Sequence, residues 1–357
     1  MRPLKALINL DNARHNLAYI KSLAPSSKIM ATLKANAYGH GLTLMATAFN
    51  DADAFSVLTI DDAIELREAG CDKKILLLEG PFDQDDLNIA AAYHFDMVIH
   101  SDYQLALIRQ LDKHKKINIH LKVNTGMNRL GFAIEKISKI YQQLKNDTRV
   151  DEIIFMSHFA NADIENGTDE QVKHIEALLK TFNEPFSVAN SAAIVNQISA
   201  QLDWVRPGIM LYGATPFDLD FPLDQLKPVM TLRSEIIAIQ DIKKGEGVGY
   251  GDEFKAPKDM RIGIVACGYA DGYPRHAASG TPIVVDGIQT KTVGRVSMDM
   301  IAVDINDIPN VNYGSSVELW GEHLSVDLVA HHAKTVGYEL LCAISSASRV
   351  PIDIYYG

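Results

Sequence analysis

Over roughly the first 225 residues, short β-branched and apolar runs alternate with stretches whose apolar positions recur every three or four residues. The first pattern predicts strands, the second amphipathic helices. Strands are predicted at Ile29–Lys34, Asp53–Val57, Lys74–Leu78, Asp96–Ile99, Ile117–Val123, Glu152–Ser157, Phe186–Ala189 and Ile209–Tyr212. Among the helices, Asp61–Ala69 opens on acids and stops at Gly70, a capped start and a glycine stop. Ser101–Leu111 opens on a serine and carries Leu105, Ile108 and Leu111 on one stripe, and Ala133–Leu144 repeats Ile134, Ile137, Ile140, Tyr141 and Leu144. Another helix, Asp11–Leu23, precedes the first strand. This rhythm predicts a (β/α)8 TIM-type barrel over residues 1–225. The rival, an open doubly wound sheet, lacks a G-x-G-x-x-G after its first strand.

Near Lys227 the rhythm changes. Helical spacing mostly vanishes, and strands are predicted at Met230–Ile239, Arg261–Ala266, Pro282–Val285, Gln289–Val293, Ile301–Ile305 and Ser316–Trp320. Asp286-Gly287, between two β-rich runs, predicts a type I′ hairpin turn. Only Val326–Val336 reads as helical, so residues 226–357 form a mostly β domain.

Composition narrows the function classes. At about 150 residues per domain, 357 residues suit two domains, and 47% hydrophobic with 22% charged residues excludes disorder. Forty-five acids against 34 bases give a net charge of −11, which disfavours a nucleic-acid partner. Cys71, Cys267 and Cys342 include no C-x-x-C and read as reduced thiols. No apolar run matches a signal segment or a membrane span, so a cytoplasmic protein is expected.

In a barrel, reactive groups sit where strands end at their C-terminal face. Lys34 ends the first strand, where partial burial would lower its pKa and make its amine a nucleophile or base; the alternative is a lysine reaching out to solvent. Lys122 and Arg129 flank the loop after the fifth strand, two cations suited to an anion or simply a basic loop. His158 ends the sixth strand, as a catalyst or a structural histidine. Asn190-Ser191 opens a helix after the seventh, as a phosphate site or a plain N-cap. Arg206-Pro207-Gly208-Ile209 lies near the eighth. No Walker loop, H-E-x-x-H or zinc-type cluster occurs, and the adjacent His331-His332 would diverge on a helix. Tyr269 and Asp271, and Ser297 to Asp299, form polar clusters in the β domain.

The segments LKANAYGHG, KVNTGMNRLGF, SHFANAD, ANSAA, VRPGIMLYG, GYADGYPR and VGRVSMDM together resemble the alanine racemase family, in its order and spacing, over nearly the whole chain. The resemblance implies a pyridoxal 5'-phosphate enzyme that interconverts L- and D-alanine for peptidoglycan, working as a cytoplasmic homodimer. In it the barrel of one subunit faces the β domain of the other. It implies that Lys34 carries the cofactor and is the base on the D-face of the substrate, and that Tyr269 of the partner subunit is the base on the L-face. His158 and Arg206 would tune that phenol, Arg206 also meeting the pyridine nitrogen. Tyr38, Ser191, Gly208 and Ile209 would cradle the phosphate. Arg129 would orient the substrate carboxylate, with Met298 and Asp299 of the partner at the substrate end. Lys122 matches a lysine that many members carbamylate. The chain departs from the family at Asn124, often Asp, at Ser297, often Cys, and near Ser348, where a phosphate-binding Tyr is usual. The alternatives are a broader racemase acting on serine, an amino-acid decarboxylase, a non-catalytic pyridoxal-phosphate protein and a metal-dependent hydrolase. The last lacks a ligand cluster.

Overall fold

A computed structural model describes residues 2–355 except 220, 222, 347 and 348. Eight parallel strands close a barrel: Lys28–Thr32, Ala54–Val57, Lys74–Leu77, Asp96–Ile99, Ile117–Asn124, Val150–Met156, Phe186–Ser187 and Trp204–Val205. The fourth pairs with the fifth and the eighth with the first, which completes the ring. The helices between them start where a side chain satisfies a free N–H. Thr59, Asp83, Ser101 and Asn190 each accept from the backbone three residues on.

The expected barrel is therefore present, with one strand misplaced. The eighth strand is Trp204–Val205, not Ile209–Tyr212. The latter forms a fully buried 3₁₀ turn, because Pro207 cannot donate to a ladder and Gly208 turns the chain away. The first strand also stops at Thr32 rather than Lys34.

Side chains alternate along each barrel strand, so the interior is layered. An apolar plug of Met30, Ala54, Leu76, Val98, Ile154, Met156 and Trp204 fills the middle. Two residues further along their strands, Thr32 and Ser56 form the polar floor above it, joined at 3.3 Å between their hydroxyls. Two residues before it, Lys74 and Asp96 face each other at 3.5 Å. The C-terminal mouth is thus polar above a dry plug.

The second sheet is mostly antiparallel and centred on the thirteen-residue strand Met230–Ile242. One of its members comes from the beginning of the sequence: Lys5–Asn9 lies between Met230–Ile242 and Ile352–Tyr355. The Val285–Ile288 hairpin has Asp286 and Gly287 at φ +46° and +80°, both positive as the predicted turn requires. The helix expected at Val326–Val336 ends at His332, and a second, unexpected helix follows at Gly337–Ser346. Among the described residues no helix is long and apolar enough to cross a membrane, and no group of three acids, histidines or cysteines is placed to hold a metal.

Candidate active site

Lys34 opens a turn with an unusual backbone. Ala35, Asn36, Ala37 and Tyr38 all have φ between 51° and 56°. That is a full left-handed turn of non-glycine residues, which costs about 1–2 kcal/mol per residue. Several contacts hold it. The Asn36 side chain accepts from Leu42 N at 2.8 Å. His40, fully buried, donates from Nδ1 to the carbonyls of Tyr38 and Ala37 at 2.9 and 3.2 Å. Burial pushes the His40 pKa down to about 4, so the ring is neutral. Tyr212 stacks on Tyr38 with ring centres 4.7 Å apart and donates its hydroxyl to Thr32 O at 2.7 Å. Strain of this kind is retained where it sets a functional geometry. Here it turns the chain at Lys34 and lays Tyr38 along the barrel mouth.

Cations gather at this mouth. Burial and the neighbouring Arg129 lower the Lys34 pKa. Lys122 is 6% exposed, and burial together with Arg206, Arg129 and Lys34 brings it to about 8. Arg206 is buried, donates to Ser187 Oγ at 2.6 Å and Ser157 O at 2.7 Å, and has no carboxylate partner among the described residues. Burial brings its pKa to about 10, still charged at neutral pH. Arg206 Nη2 lies 3.4 Å from His158 Nδ1. A guanidinium only donates, so Nδ1 accepts from it and the neutral ring keeps its proton on Nε2, which lies 3.5 Å from Asn190 Nδ2. Burial and the surrounding cations hold His158 well below the usual histidine pKa, so it is neutral. Arg129 is exposed and makes no hydrogen bond or ion pair among the described residues. Its loop is set by Asn124, whose Oδ1 accepts from Gly126 N and Asn128 N at 3.1 and 3.0 Å.

Positive charge this poorly balanced in a concave site requires an anion, and the residues fit a phosphorylated cofactor. Ser191 Oγ accepts from Gly208 N at 2.9 Å. Ile209, fully buried, begins the turn that follows. A Cβ on Gly208 would lie 2.6 Å from the Tyr38 hydroxyl, so the glycine leaves that hydroxyl its space. The hydroxyl has no hydrogen-bond partner among the described residues. Gly208→Ala is therefore expected to loosen this cradle. Tyr38 is wedged against Tyr212, and crowding of this kind costs about 1–3 kcal/mol. Titration of the apoprotein with pyridoxal phosphate should show affinity weakened by about tenfold.

Tyr269, Met298 and Asp299 stand apart from this cluster. They are side by side on the β domain, with Tyr269 N and Ala270 N donating to Ser297 O and Met298 O at 3.1 and 3.0 Å. Tyr269 and Met298 are exposed. Among the described residues no hydrogen bond or ion pair joins the three to Lys34, Arg129 or His158 of the same chain. Ser348 lies outside the described residues.

Sequence reasoning missed several neighbours. Glu79 is the acid nearest in effect to both Lys34 and Lys122. Ser157 and Ser187 orient Arg206, and Tyr212 backs Tyr38. Tyr338 and Cys342 come from the unexpected helix, one turn apart on a face that meets the Lys34 turn; the Tyr338 and Tyr38 rings are 6.1 Å apart. Tyr212 was within reach, being part of the quoted VRPGIMLYG, whereas the serines are ordinary strand residues.

A barrel with a lysine at its mouth, an anion-hungry rim and an appended β domain is the architecture of barrel-type enzymes that use a phosphorylated cofactor. Residues 8–216 match the family model described as alanine racemase, N-terminal domain, and residues 229–353 match alanine racemase, C-terminal domain. The chain is 48% identical to the catabolic alanine racemase of Klebsiella aerogenes, across 98% of this chain and 99% of that one. It is 46% identical to the alanine racemase of Paraburkholderia phytofirmans with the same coverage. Its fold superposes on the biosynthetic alanine racemase of Pseudomonas aeruginosa with a TM-score of 0.95 at 42% identity, covering 99% of this chain and all of the other. The chain belongs to the alanine racemase family.

Proposed function

We propose that the protein interconverts L- and D-alanine with pyridoxal phosphate held at the barrel mouth. The observation that carries this reading is the partly buried Lys34 amine, lowered in pKa and set among cations with one acid nearby. When bound, pyridoxal phosphate is an electron sink that acidifies the Cα–H bond of an amino acid. Tyr38, Ser191, Gly208 and Ile209 would hold its phosphate, with Lys34 at its reactive carbon and Arg206 at its ring nitrogen. Because Arg206 keeps its proton it would donate a hydrogen bond to that nitrogen without protonating it, which weakens the electron sink and favours simple proton return over transamination.

The chain's own groups then remove a proton from one face of Cα and return another to the opposite face. Lys34 takes or returns it at Cα on the D-face. Tyr269 of the partner subunit does so on the L-face. A phenol is a weak acid near pKa 10. His158, whose Nδ1 faces Arg206 and whose Nε2 lies 3.5 Å from Asn190 Nδ2, would turn its Nε2–H toward the phenol oxygen and favour its deprotonated form. Arg129 holds the substrate carboxylate, with Met298 and Asp299 of the partner subunit closing that end. Lys122, at about 8, has a neutral fraction able to add through Nζ to the carbon of CO2 with loss of a proton. The resulting carbamate would pair with Arg129 in place of repelling it.

This scheme requires a homodimer in which residues 1–225 bind cofactor and residues 226–357 complete the partner's site. Exposed Tyr269 and Met298, beside each other on the β domain and joined by no hydrogen bond to Lys34, Arg129 or His158 of the same chain among the described residues, support that arrangement. We place the dimer in the cytoplasm, supplying D-alanine to peptidoglycan. The purified protein should be yellow and should racemise L-alanine. Equal turnover of L-serine would move the reading to a broader racemase, and absence of both the colour and racemisation would overturn it.

A further inference from the structure

Asp271 is completely buried, two residues after Tyr269. Its Oδ2 accepts from Gly268 N at 2.9 Å, which closes the short turn Tyr269–Asp271 upon its own start. Its Oδ1 meets Arg2 Nη1 at 2.5 Å and Arg349 Nε at 3.6 Å. Both arginines also reach Asp299. Arg2 Nη2 donates to its carbonyl at 2.6 Å, and Arg349 Nη2 to its carboxylate at 2.7 Å. The turn bearing Tyr269 is therefore tied to the segment bearing Met298 and Asp299 twice, by backbone bonds and by two guanidinium bridges. There is no slack between them. A Cβ on Gly268 would lie 2.3 Å from Met298 O.

A buried carboxylate held by arginines is a poor device for stability alone, since apolar residues of similar volume serve as well or better. What it fixes is direction. The two segments it joins are those expected to enter the partner's site. Proton transfer needs heavy atoms within about 2.6–3.2 Å, and a misplacement of about 1 Å can cost a hundredfold in rate.

We propose that Arg2 and Asp271, with Arg349, are positioning residues for Tyr269: their network sets where the phenol oxygen stands against substrate Cα. The inference rests on Tyr269 being the L-face base. Arg2→Met removes one bridge but leaves Arg349 and Gly268 N facing the buried Asp271, so the carboxylate is not stranded, and thermal unfolding checks that the variant folds. Turnover should fall about ten- to a hundredfold, with cofactor absorption, dimer size and KM for alanine unchanged. Rates alone are uninformative about the face affected, because the two enantiomers are equal in free energy and lose catalysis equally in both directions.

Isotope effects separate the faces. In Arg2→Met the primary effect with Cα-deuterated L-alanine should rise and that with Cα-deuterated D-alanine should fall, because the L-face step has become limiting. Arg2→Lys, which keeps one charged contact, should recover part of the rate and shift both effects back. Asp271→Asn should displace both effects in the same sense as Arg2→Met. Isotope effects in Arg2→Met that stay at their wild-type values or move together would overturn the proposal. Tyr269→Phe in the same assay tests the underlying reading. If it shows no difference between faces, Tyr269 is not the base and the proposal falls with it. If it does and Arg2→Met does not, only the positioning role is lost.

Discussion

Lys34→Ala is expected to lose both the yellow absorption of amine-bound cofactor and essentially all racemisation. In the proposed scheme the amine is needed twice, as the group that holds the cofactor and as the proton carrier on one face. Removing one general base costs about 10²–10⁴-fold, and loss of the covalent anchor adds to that. The substitution should leave the fold intact. Lys34 is partly exposed, its Nζ makes no hydrogen bond among the described residues, and the adjoining left-handed turn is held by Asn36 and His40. It also relieves repulsion, since Arg129, Arg206 and Lys122 all share the mouth with it. Circular dichroism and thermal unfolding of the apoprotein should therefore match wild type. A variant that keeps its colour, or racemises at more than a few per cent of the wild-type rate, would remove Lys34 from the centre of the chemistry.

Tyr269→Phe should lower racemisation by about 10²–10⁴-fold while sparing cofactor binding. Exchange with heavy water gives a sharper result. D-alanine should still exchange its Cα proton, through Lys34, while L-alanine exchanges far more slowly. Subunit mixing then tests the shared site. Neither Lys34→Ala nor Tyr269→Phe should retain more than about a hundredth of wild-type activity by itself. A hybrid dimer has one site with both wild-type groups, so random mixing should restore up to roughly a quarter of wild-type activity, as two-fold symmetry dictates. No recovery after demonstrated subunit exchange would place both groups in the same chain's site.

The residues of the mouth were legible because each ends a barrel strand or opens the loop after it, and because the motifs around them are dense. The backbone that presents them was not. Ala35, Asn36, Ala37 and Tyr38 carry no signal for a left-handed turn; it is imposed by His40, Tyr212 and the side chain of Asn36. The strands Phe186–Ser187 and Trp204–Val205 have two residues each, too short for any periodicity. The run Ile209–Tyr212 is apolar enough to imitate a strand, yet a four-residue apolar run has no period that distinguishes strand from buried turn. Gly337–Ser346 was overlooked because GYELLCAISS is apolar on nearly every side. Lys5–Asn9 finds both its partners more than two hundred residues away, beyond what a local pattern reports.

That last strand bears on how the protein comes into being. It leaves the ribosome well before its neighbours Met230–Ile242 and Ile352–Tyr355. At about 5–20 residues per second the wait is tens of seconds, long enough for the barrel to close inside its ring of helices. Through that interval KALIN, a β-prone edge with Ala6 and Ile8 still uncovered, is open to wrong partners. The nascent chain therefore carries one side of this seam long before the other exists, and the sheet can close only once Ile352–Tyr355 has been made.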